Sequence, residues 1–588
     1  MGRQISVFNS LPSPYLCFML KLPYGISNFE TLVNENYLYI DRTPYLRQIE
    51  QLNERYLFFL RPRRFGKSLW ISVLQYYYGL EHKNKFETLF GRFHIGQNPT
   101  PLANTYLILK FDFSGIDTTS KEHTYLGFFT KVQEGIQQFL NVYVAYFSSE
   151  TREKILDKTA PEIMLGSLFT YAFSNDIPKI YIVIDEYDHF TNELISFRLS
   201  EFQEIVGAEG YVRSFYERIK TATQEGVVDR FFATGVSPVT LDSLTSGFNM
   251  GSNISLDAAL NEMMGFTQEE VRGILKGVEI ADSELDGMMG EMRKWYHGYL
   301  FDADRTERMY NSDMVLYFAN EYQKRRKYPR SLLDINISSD YGKLGKLFRL
   351  GGEESKRWDL LQRLLRGEEV AAQLTEQFSF ARKFTEYDFL SLLFYMGLVT
   401  IKKADLSEVQ LQIPNEVIRE LYYNYFLEQI QFQKNLDITT PDVVKRVQEF
   451  AKYNNPQPLI HLLEDTLKQL SNRDWPGFDE KHLKTMLVAY FYSVGIYHIQ
   501  SEPEMEQQYP DLILRSRPPY EPPYQFMIEL KYIKKQKPDE VEAKIQKGRE
   551  QLQSYLQAEE VQGLENLRAW LWVFVGTEAV LVEEVGEI

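Results

Sequence analysis

The sequence predicts an α/β protein with three parts: a domain built on a doubly wound parallel sheet, a mostly helical middle region, and a C-terminal α-β-β-β-α-β domain. Three observations carry this. The apolar run Tyr56–Leu60 passes through Arg61-Pro62-Arg63-Arg64-Phe65-Gly66-Lys67-Ser68-Leu69 into apolar residues at helical spacing, Leu69, Ile71, Val73, Leu74 and Tyr77. A second run, Lys179–Ile184, is continuously β-branched and aromatic, as in a strand buried on both faces, and ends in Asp185-Glu186. Near the C-terminus, Pro510-Asp511 and Glu529-Leu530-Lys531 lie on two apolar runs joined by a proline-rich stretch.

Composition bounds the answer. The chain has 588 residues, room for about three or four domains of ~150 residues. Its 44% hydrophobic and 25% charged residues are ordinary for a globular protein. No run of about 18 apolar residues suggests a membrane span. The short run Tyr15–Leu20 is hemmed by Pro12, Pro14, Lys21 and Pro23 and lacks a small-residue cleavage site, so no signal peptide is expected. One cysteine, Cys17, allows neither an internal disulfide nor a cysteine-built metal site, and the cytoplasm is the expected location. The formal net charge of -16 repels nucleic acid overall. Any DNA contact therefore falls to local basic patches, Lys324 to Arg330 or Lys531, Lys534, Lys535 and Lys537, although such runs ordinarily just face solvent.

In chain order, residues 1–20 read as a lead-in. Tyr37–Asp41 reads as a short strand by its aromatic content, and Thr43-Pro44 opens a helix with proline at its first position. Leu107–Phe113 is a strand, 122–147 and 161–174 are helices, and Val228–Ser237 is a further strand. Alternating strands and helices place a P-loop domain at 21–255. The region 256–440 is mostly helical, with a capping box at Thr267-Gln-Glu-Glu270. There the helix Phe384–Val399 leads into a strand, a unit that suits a lid, a bridge or a winged-helix-like segment. Gly351–Lys356 and Ile438–Pro441 read as linkers. The last domain, 441–588, runs helix 480–494, strand 496–500, strand 510–514, loop 515–524, strand 526–532, helix 539–557 and strand 569–575.

The strand–turn–helix with Gly66-Lys67-Ser68 at its junction is the layout of a phosphate-binding loop. The free N–H groups and positive dipole end of the helix stabilise an anion. Lys67 would reach the outer phosphates and Ser68 would hold magnesium. Arg61 stands where the usual pattern has its first glycine, and an arginine adopts a positive φ only at a cost. A carboxylate at the C-terminal end of a parallel strand faces the ligand crevice. Asp185 would anchor the magnesium and Glu186 would polarise the attacking water, while Thr234 at the end of the 228–237 strand would sense the γ-phosphate.

Six blocks in order, Arg61–Ser68, Ile184–Asp188, Ala233–Pro238, Ser246–Asn249, Gly265–Glu270 and Trp295–Phe301, together resemble the AAA-ATPase-like family of bacterial proteins, which often carry a C-terminal PD-(D/E)XK nuclease domain. In that family an arginine also replaces the first glycine. The resemblance implies a nucleotide site of Arg63, Arg64, Phe65, Gly66, Lys67, Ser68, Leu69, Asp185 and Thr234, with Glu186 catalytic and ATP and Mg²⁺ as cofactors.

At the other end, Glu529 and Lys531 lie two apart on one strand and so face the same side. Two carboxylates there, Asp511 and Glu529, would repel unless a divalent cation lay between them, and oxygen ligands with open water positions suit Mg²⁺. Such a metal makes a hydroxide nucleophile and clamps a phosphate in line. Lys531 would orient the water. Pro-Asp followed by Glu-x-Lys on the next strand resembles the PD-(D/E)XK superfamily, with its restriction-endonuclease-like fold. Gln551 and Tyr555 resemble its Q-x-x-x-Y element, and Glu480 its extra upstream carboxylate. Gln508-Tyr-Pro-Asp511 stands where the family usually shows Gly-Arg-x-Asp.

The reading is an ATP-binding and ATP-hydrolysing protein with a Mg²⁺-dependent nuclease module. DNA is the expected substrate, with structured RNA an open alternative, and the ATP state gates cleavage. The competing reading is a nucleotide-dependent switch or scaffold whose nuclease-like domain only binds DNA or a protein partner. The resemblance suggests defence against foreign DNA or mobile-element biology. It leaves homo-oligomerisation open.

Overall fold

The computed structural model describes residues 20–587 except 198, 207–209, 239–249, 335–343, 349–353, 377, 379–383, 434–438, 471–477 and 504–508. The block Ser246–Asn249 and the first half of the linker expected at 351–356 therefore lie outside the described residues; its second half is not a linker but opens the helix Glu354–Leu365. The chain divides into two compact units, Met1–Lys324 with Arg349–Glu354 and Glu369–Asn415, and Arg325–Phe348 with Ser355–Glu368 and Glu416–Ile588.

The first unit is organised by a sheet of β1 (Tyr56–Leu60), β2 (Leu107–Asp112), β3 (Ile180–Asp185), β4 (Val228–Gly235) and β5 (Ser252–Asn253), in the order β2-β3-β4-β1-β5. Every pairing is parallel, which explains why the strands read as unbroken apolar runs rather than alternating ones. β3 is buried along its whole length. Helices α1 (Lys67–Tyr78), α2 (Lys121–Val142), α3 (Pro161–Ser174) and α4 (Tyr211–Gln224) pack on β2, β3, β4 and one another. This is a P-loop NTPase fold. Pro161 begins α3 at the first position, where its missing N–H costs nothing.

Tyr37–Asp41 is not a strand. Its rings pack on other rings, Tyr39 against Phe29 and Phe93. The Asp41 carboxylate accepts from the Thr43 amide and hydroxyl, so the segment leads into the helix Pro44–Gln51 instead. Later in this unit, the capping box on Thr267 and Glu270 forms. Glu270 also takes a two-pronged ion pair from Arg42. The helix expected before Val399 runs Glu386–Tyr395, and its following strand β7 (Thr400–Asp405) belongs to a three-stranded sheet with β6 (Val370–Ala372) and β8 (Glu408–Gln412).

In the second unit, helices Glu416–Gln433, Thr440–Tyr453 and Gln457–Gln469 precede the C-terminal sheet. Of the stretch expected to be a linker at 438–441, residues 439–441 are a helix start, Thr439 capping it in a capping box with Asp442, and 438 lies outside the described residues. The sheet holds β9 (Tyr497–Ser501), β10 (Leu512–Ser516), β11 (Gln525–Ile533), β12 (Leu567–Val575) and β13 (Glu578–Glu587), ordered β13-β12-β11-β10-β9. β11 is central, antiparallel to β10 and parallel to β12. β13 was not expected. It folds back from β12 across Gly576, whose φ is +61°. Helices α5 (Glu480–Tyr492) and α6 (Val541–Tyr555) both pack on β11. Ile513, Met527, Leu552, Leu571 and Val573 form the core beneath α6, each contributing about 1.5–3 kcal/mol by burial.

Candidate active sites

The phosphate loop connects β1 to α1. Gly66 stands at the N-cap of α1 with φ +94°, a conformation that favours glycine. The other left-handed residue of the loop is Arg64, at +69°. Arg61 does not take up the left-handed backbone that the first glycine of the usual motif suggests. Its side chain is instead a buried strut. It donates to the carbonyls of Leu60, Ser255 and Leu260, and its guanidinium lies 4.2 Å and 4.0 Å from the ring centres of Phe59 and Phe301. Phe65 is buried against Tyr299 and Phe301. The carbonyls of Arg63 and Arg64 accept from Asn311 and from Ser312 and Asp313. The loop is thus held in shape from outside by aromatic packing and by residues 311–313.

Lys67 is buried and donates to the carbonyls of Arg61 and Pro62, both at 3.0 Å. Burial lowers its pKa, while Glu186, Asp185 and Asp188 work against that shift. Ser68 hydrogen-bonds the Asp185 carboxylate, whose pKa is raised by burial. The magnesium ligands expected from the sequence therefore meet across β3 and α1. Glu186 sits at φ +50° with its carboxylate 2.8 Å from His189 Nδ1. That contact lowers the pKa of Glu186 and raises that of His189. Thr234 is fully buried, and its hydroxyl donates to the Phe59 carbonyl within the sheet. Leu69 follows in the first turn of α1.

Asp188 was not singled out in the sequence. Its buried carboxylate accepts from the Val236 and Ser237 amides and from Asn192. A Cβ on Gly235 would fall 2.2 Å from Asp188 Oδ1. The Asp-Glu-Tyr-Asp turn after β3 and the turn after β4 are therefore one fixed piece.

The second site lies in the C-terminal sheet. The register Leu512↔Ile528 sets Asp511 opposite Glu529. The Asp511 amide donates to Glu529 Oε2 at 3.4 Å, and Asp511 Oδ2 accepts from the Leu530 amide at 2.9 Å. Lys531 Nζ is 2.5 Å from Glu529 Oε1, both side chains being buried. Burial raises the pKa of Glu529 to about 7, with Asp511 adding to the shift and Lys531 opposing it. Burial pulls the pKa of Lys531 down, but Glu529 outweighs it and the net shift is upward. Glu480, at the start of α5, accepts from the Tyr532 amide at 3.1 Å. On α6, Gln551 donates to Tyr555 at 3.1 Å, and Tyr555 donates to the Tyr509 carbonyl. All seven residues that the sequence assigned to catalysis except Glu186 are thus in this one unit. Sequence reasoning missed Lys484. It lies on α5, one turn after Glu480, and its ammonium contacts Asp511 Oδ1 at 3.3 Å and the Glu502 carboxylate. Only the α5 spacing of Glu480 and Lys484 hinted at it.

Among the described residues no helix is long and apolar enough to cross a membrane. Residues 23–245 match the family model described as "Predicted AAA-ATPase", and residues 478–584 match that of the PD-(D/E)XK nuclease superfamily. An uncharacterised protein from the vnfD 5' region of Azotobacter chroococcum mcd 1 is 27% identical over 315 residues, 53% of each chain, so the match spans about half of that relative. The Walker-type ATPase PABY2304 of Pyrococcus abyssi aligns with 65% of this chain and 94% of its own at 12% identity and a TM-score of 0.39. Residues 23–245, with their P-loop fold, are thus similar to the predicted AAA-ATPase family, and residues 478–584 to the PD-(D/E)XK nuclease superfamily.

Proposed function

We propose that this chain binds and hydrolyses ATP at Lys67, Ser68, Asp185 and Glu186, and cleaves a nucleic-acid phosphodiester, in DNA rather than RNA, at Asp511, Glu529 and Lys531. One observation carries the second half of this reading. Asp511 and Glu529 face each other on paired strands, both buried, with the Glu529 pKa raised by burial and by Asp511. A repulsion of that kind is what a divalent cation relieves.

The donor set fits magnesium. Among the described residues no three His, Cys, Asp or Glu are grouped to hold a metal, and Mg²⁺ is commonly held by one or two carboxylates with several waters kept. Asp511 and Glu529 would hold it, and when bound it supplies an activated water and draws charge from the scissile phosphate. The rest of the work falls to the protein. The Leu530 amide fixes the Asp511 carboxylate. Lys531, kept charged by Glu529, orients the attacking water and offsets the charge that develops on phosphorus-bound oxygen. Tyr555 and Gln551 border the same cluster, the Tyr555 hydroxyl being pushed up to about 12 by burial and by Glu529, so it stays a neutral donor.

At the nucleotide site, Lys67 would exchange two loop carbonyls for phosphate oxygens, Ser68 and Asp185 would hold the magnesium, and Glu186 would polarise water once it leaves His189. The ATP state gates cleavage, a coupling suggested by the presence of both domains in one chain.

The test is cleavage of linear, circular and single-stranded DNA with Mg²⁺, with and without ATP. Wild type should cut, Asp511→Ala should not, and Lys67→Ala should cut without responding to ATP. If nothing is cut in any nucleotide state while ATP still binds, the nuclease reading fails and the chain acts as a nucleotide-dependent switch or scaffold.

A further inference from the structure

The proposed metal pair is part of a longer row of acids. The register Leu512↔Ser501 between β10 and β9 brings Glu502 beside Asp511, just as Leu512↔Ile528 brings Glu529 beside it on the other side. The Glu502 amide donates to the Asp511 carbonyl at 3.2 Å. Three carboxylates on three successive strands thus form two gaps, Glu502/Asp511 and Asp511/Glu529.

The two gaps are filled differently. Lys531 bonds only the far oxygen of Glu529, Oε1, leaving Oε2 beside the Asp511 amide. Lys484 sits in the other gap, touching Asp511 Oδ1 and Glu502 together. Its side chain is 9% exposed, and an ammonium so buried persists only when paired. It therefore occupies the place a cation would take to bridge Asp511 and Glu502.

We infer that the C-terminal site takes one divalent cation, between Asp511 and Glu529, and that the Lys484 ammonium permanently fills the second cation position, between Asp511 and Glu502. This rests on the metal reading above. It makes the site a one-metal centre in which Lys484, a positioning residue, fixes the orientation of Asp511 and sets the stoichiometry.

The experiment is a calorimetric titration of Mn²⁺ into the nucleotide-free full-length protein. The ions bound by wild type and lost in Asp511→Asn count the C-terminal site and leave out any bound at the phosphate loop. The expected count is one. Lys484→Met, which keeps the length and apolar stem of the side chain, should raise it to two, and Lys484→Met with Glu502→Gln should return it to one. A count of two in wild type overturns the inference without touching the metal reading. So does a count of one in Lys484→Met with an unchanged circular dichroism spectrum. A count of zero in wild type overturns the metal reading itself, and the inference with it. The wild-type count decides the matter even where a variant does not fold.

Discussion

The phosphate loop and the C-terminal carboxylate row both place a buried lysine within reach of acids, yet they park it differently. Lys67 rests on two backbone carbonyls. Lys484 and Lys531 rest on carboxylates. A lysine on neutral carbonyls gives them up readily for an anion, so the first site is poised to receive phosphate, aided by the free amides of a helix start. A lysine on a buried carboxylate is held by charge, and the cluster as a whole stays negative. On the proposed reading, the second site takes up a cation before it meets a phosphodiester. The same residue type, set against neutral or charged neighbours, would suit an anion receptor in one unit and a cation receptor in the other.

The largest effect that tests this contrast is Lys531→Met. Removing the ammonium deletes charge stabilisation at the phosphate and should lower the cleavage rate by about 10²–10³-fold, with ATP hydrolysis in the same preparation unchanged. A variant that cuts at the wild-type rate would reduce Lys531 to a counter-ion of Glu529 and erase the functional half of the comparison.

Much of this was legible in the sequence, and what was not has a physical cause. The phosphate loop and the Asp-Glu that ends β3 could be read because a buried parallel strand followed by a helix start is a local pattern. Helix Pro161–Ser174 matched its expected ends because a proline marks its first residue. Tyr37–Asp41 misled because rings that pack on other rings have the composition of a strand without a neighbouring strand to pair with. β13 was missed because Glu578, Glu583, Glu584 and Glu587 surround its short apolar run Ala579–Val582, although Gly576 marked the turn. The roles of Lys484 and Asp188 were invisible for a different reason. Their partners lie in other elements, Asp511 and Glu502 for one, Val236 and Ser237 for the other, and only the folded sheet brings them together.

A smaller effect concerns what shapes the phosphate loop. Arg61 stands in the position of a glycine in the usual motif, so Arg61→Gly would restore that motif on paper. The structure predicts the opposite. The substitution leaves a cavity between Phe59 and Phe301 and strips a donor from the Leu60, Ser255 and Leu260 carbonyls. Those losses outweigh the relief of a buried charge, for a net destabilisation of about 2–4 kcal/mol. Denaturant unfolding with and without ATP measures it. A variant as stable as wild type would mean the strut does not hold the loop.

The smallest effect separates the two sites by pH. The Glu186–His189 pair has no counterpart in the lysine-held row, where Lys531 has its pKa raised by Glu529 and keeps its proton at a pH where a histidine loses its own. His189 has its pKa raised by Glu186, so its contribution to stability is fully present below the ordinary histidine value of 6.5 and is lost as pH rises through the raised folded value. Glu186 is shifted down by His189, so its contribution is present above the ordinary value of 4.5 and is lost as pH falls through the lowered one. The pair is therefore complete between those two ordinary values. With Glu186 and His189 side chains 35% and 24% exposed, solvent screening holds the stabilisation to about 0.5–1 kcal/mol. The difference in melting between wild type and His189→Gln should be greatest in that window and shrink above it. ATP hydrolysis should climb over the same upper limb, as the imidazole loses its proton and frees Glu186 to polarise water, and His189→Gln should flatten the climb. An unchanged pH profile in His189→Gln would show that the pair only braces the turn after β3, and that Glu186 reaches water without leaving it.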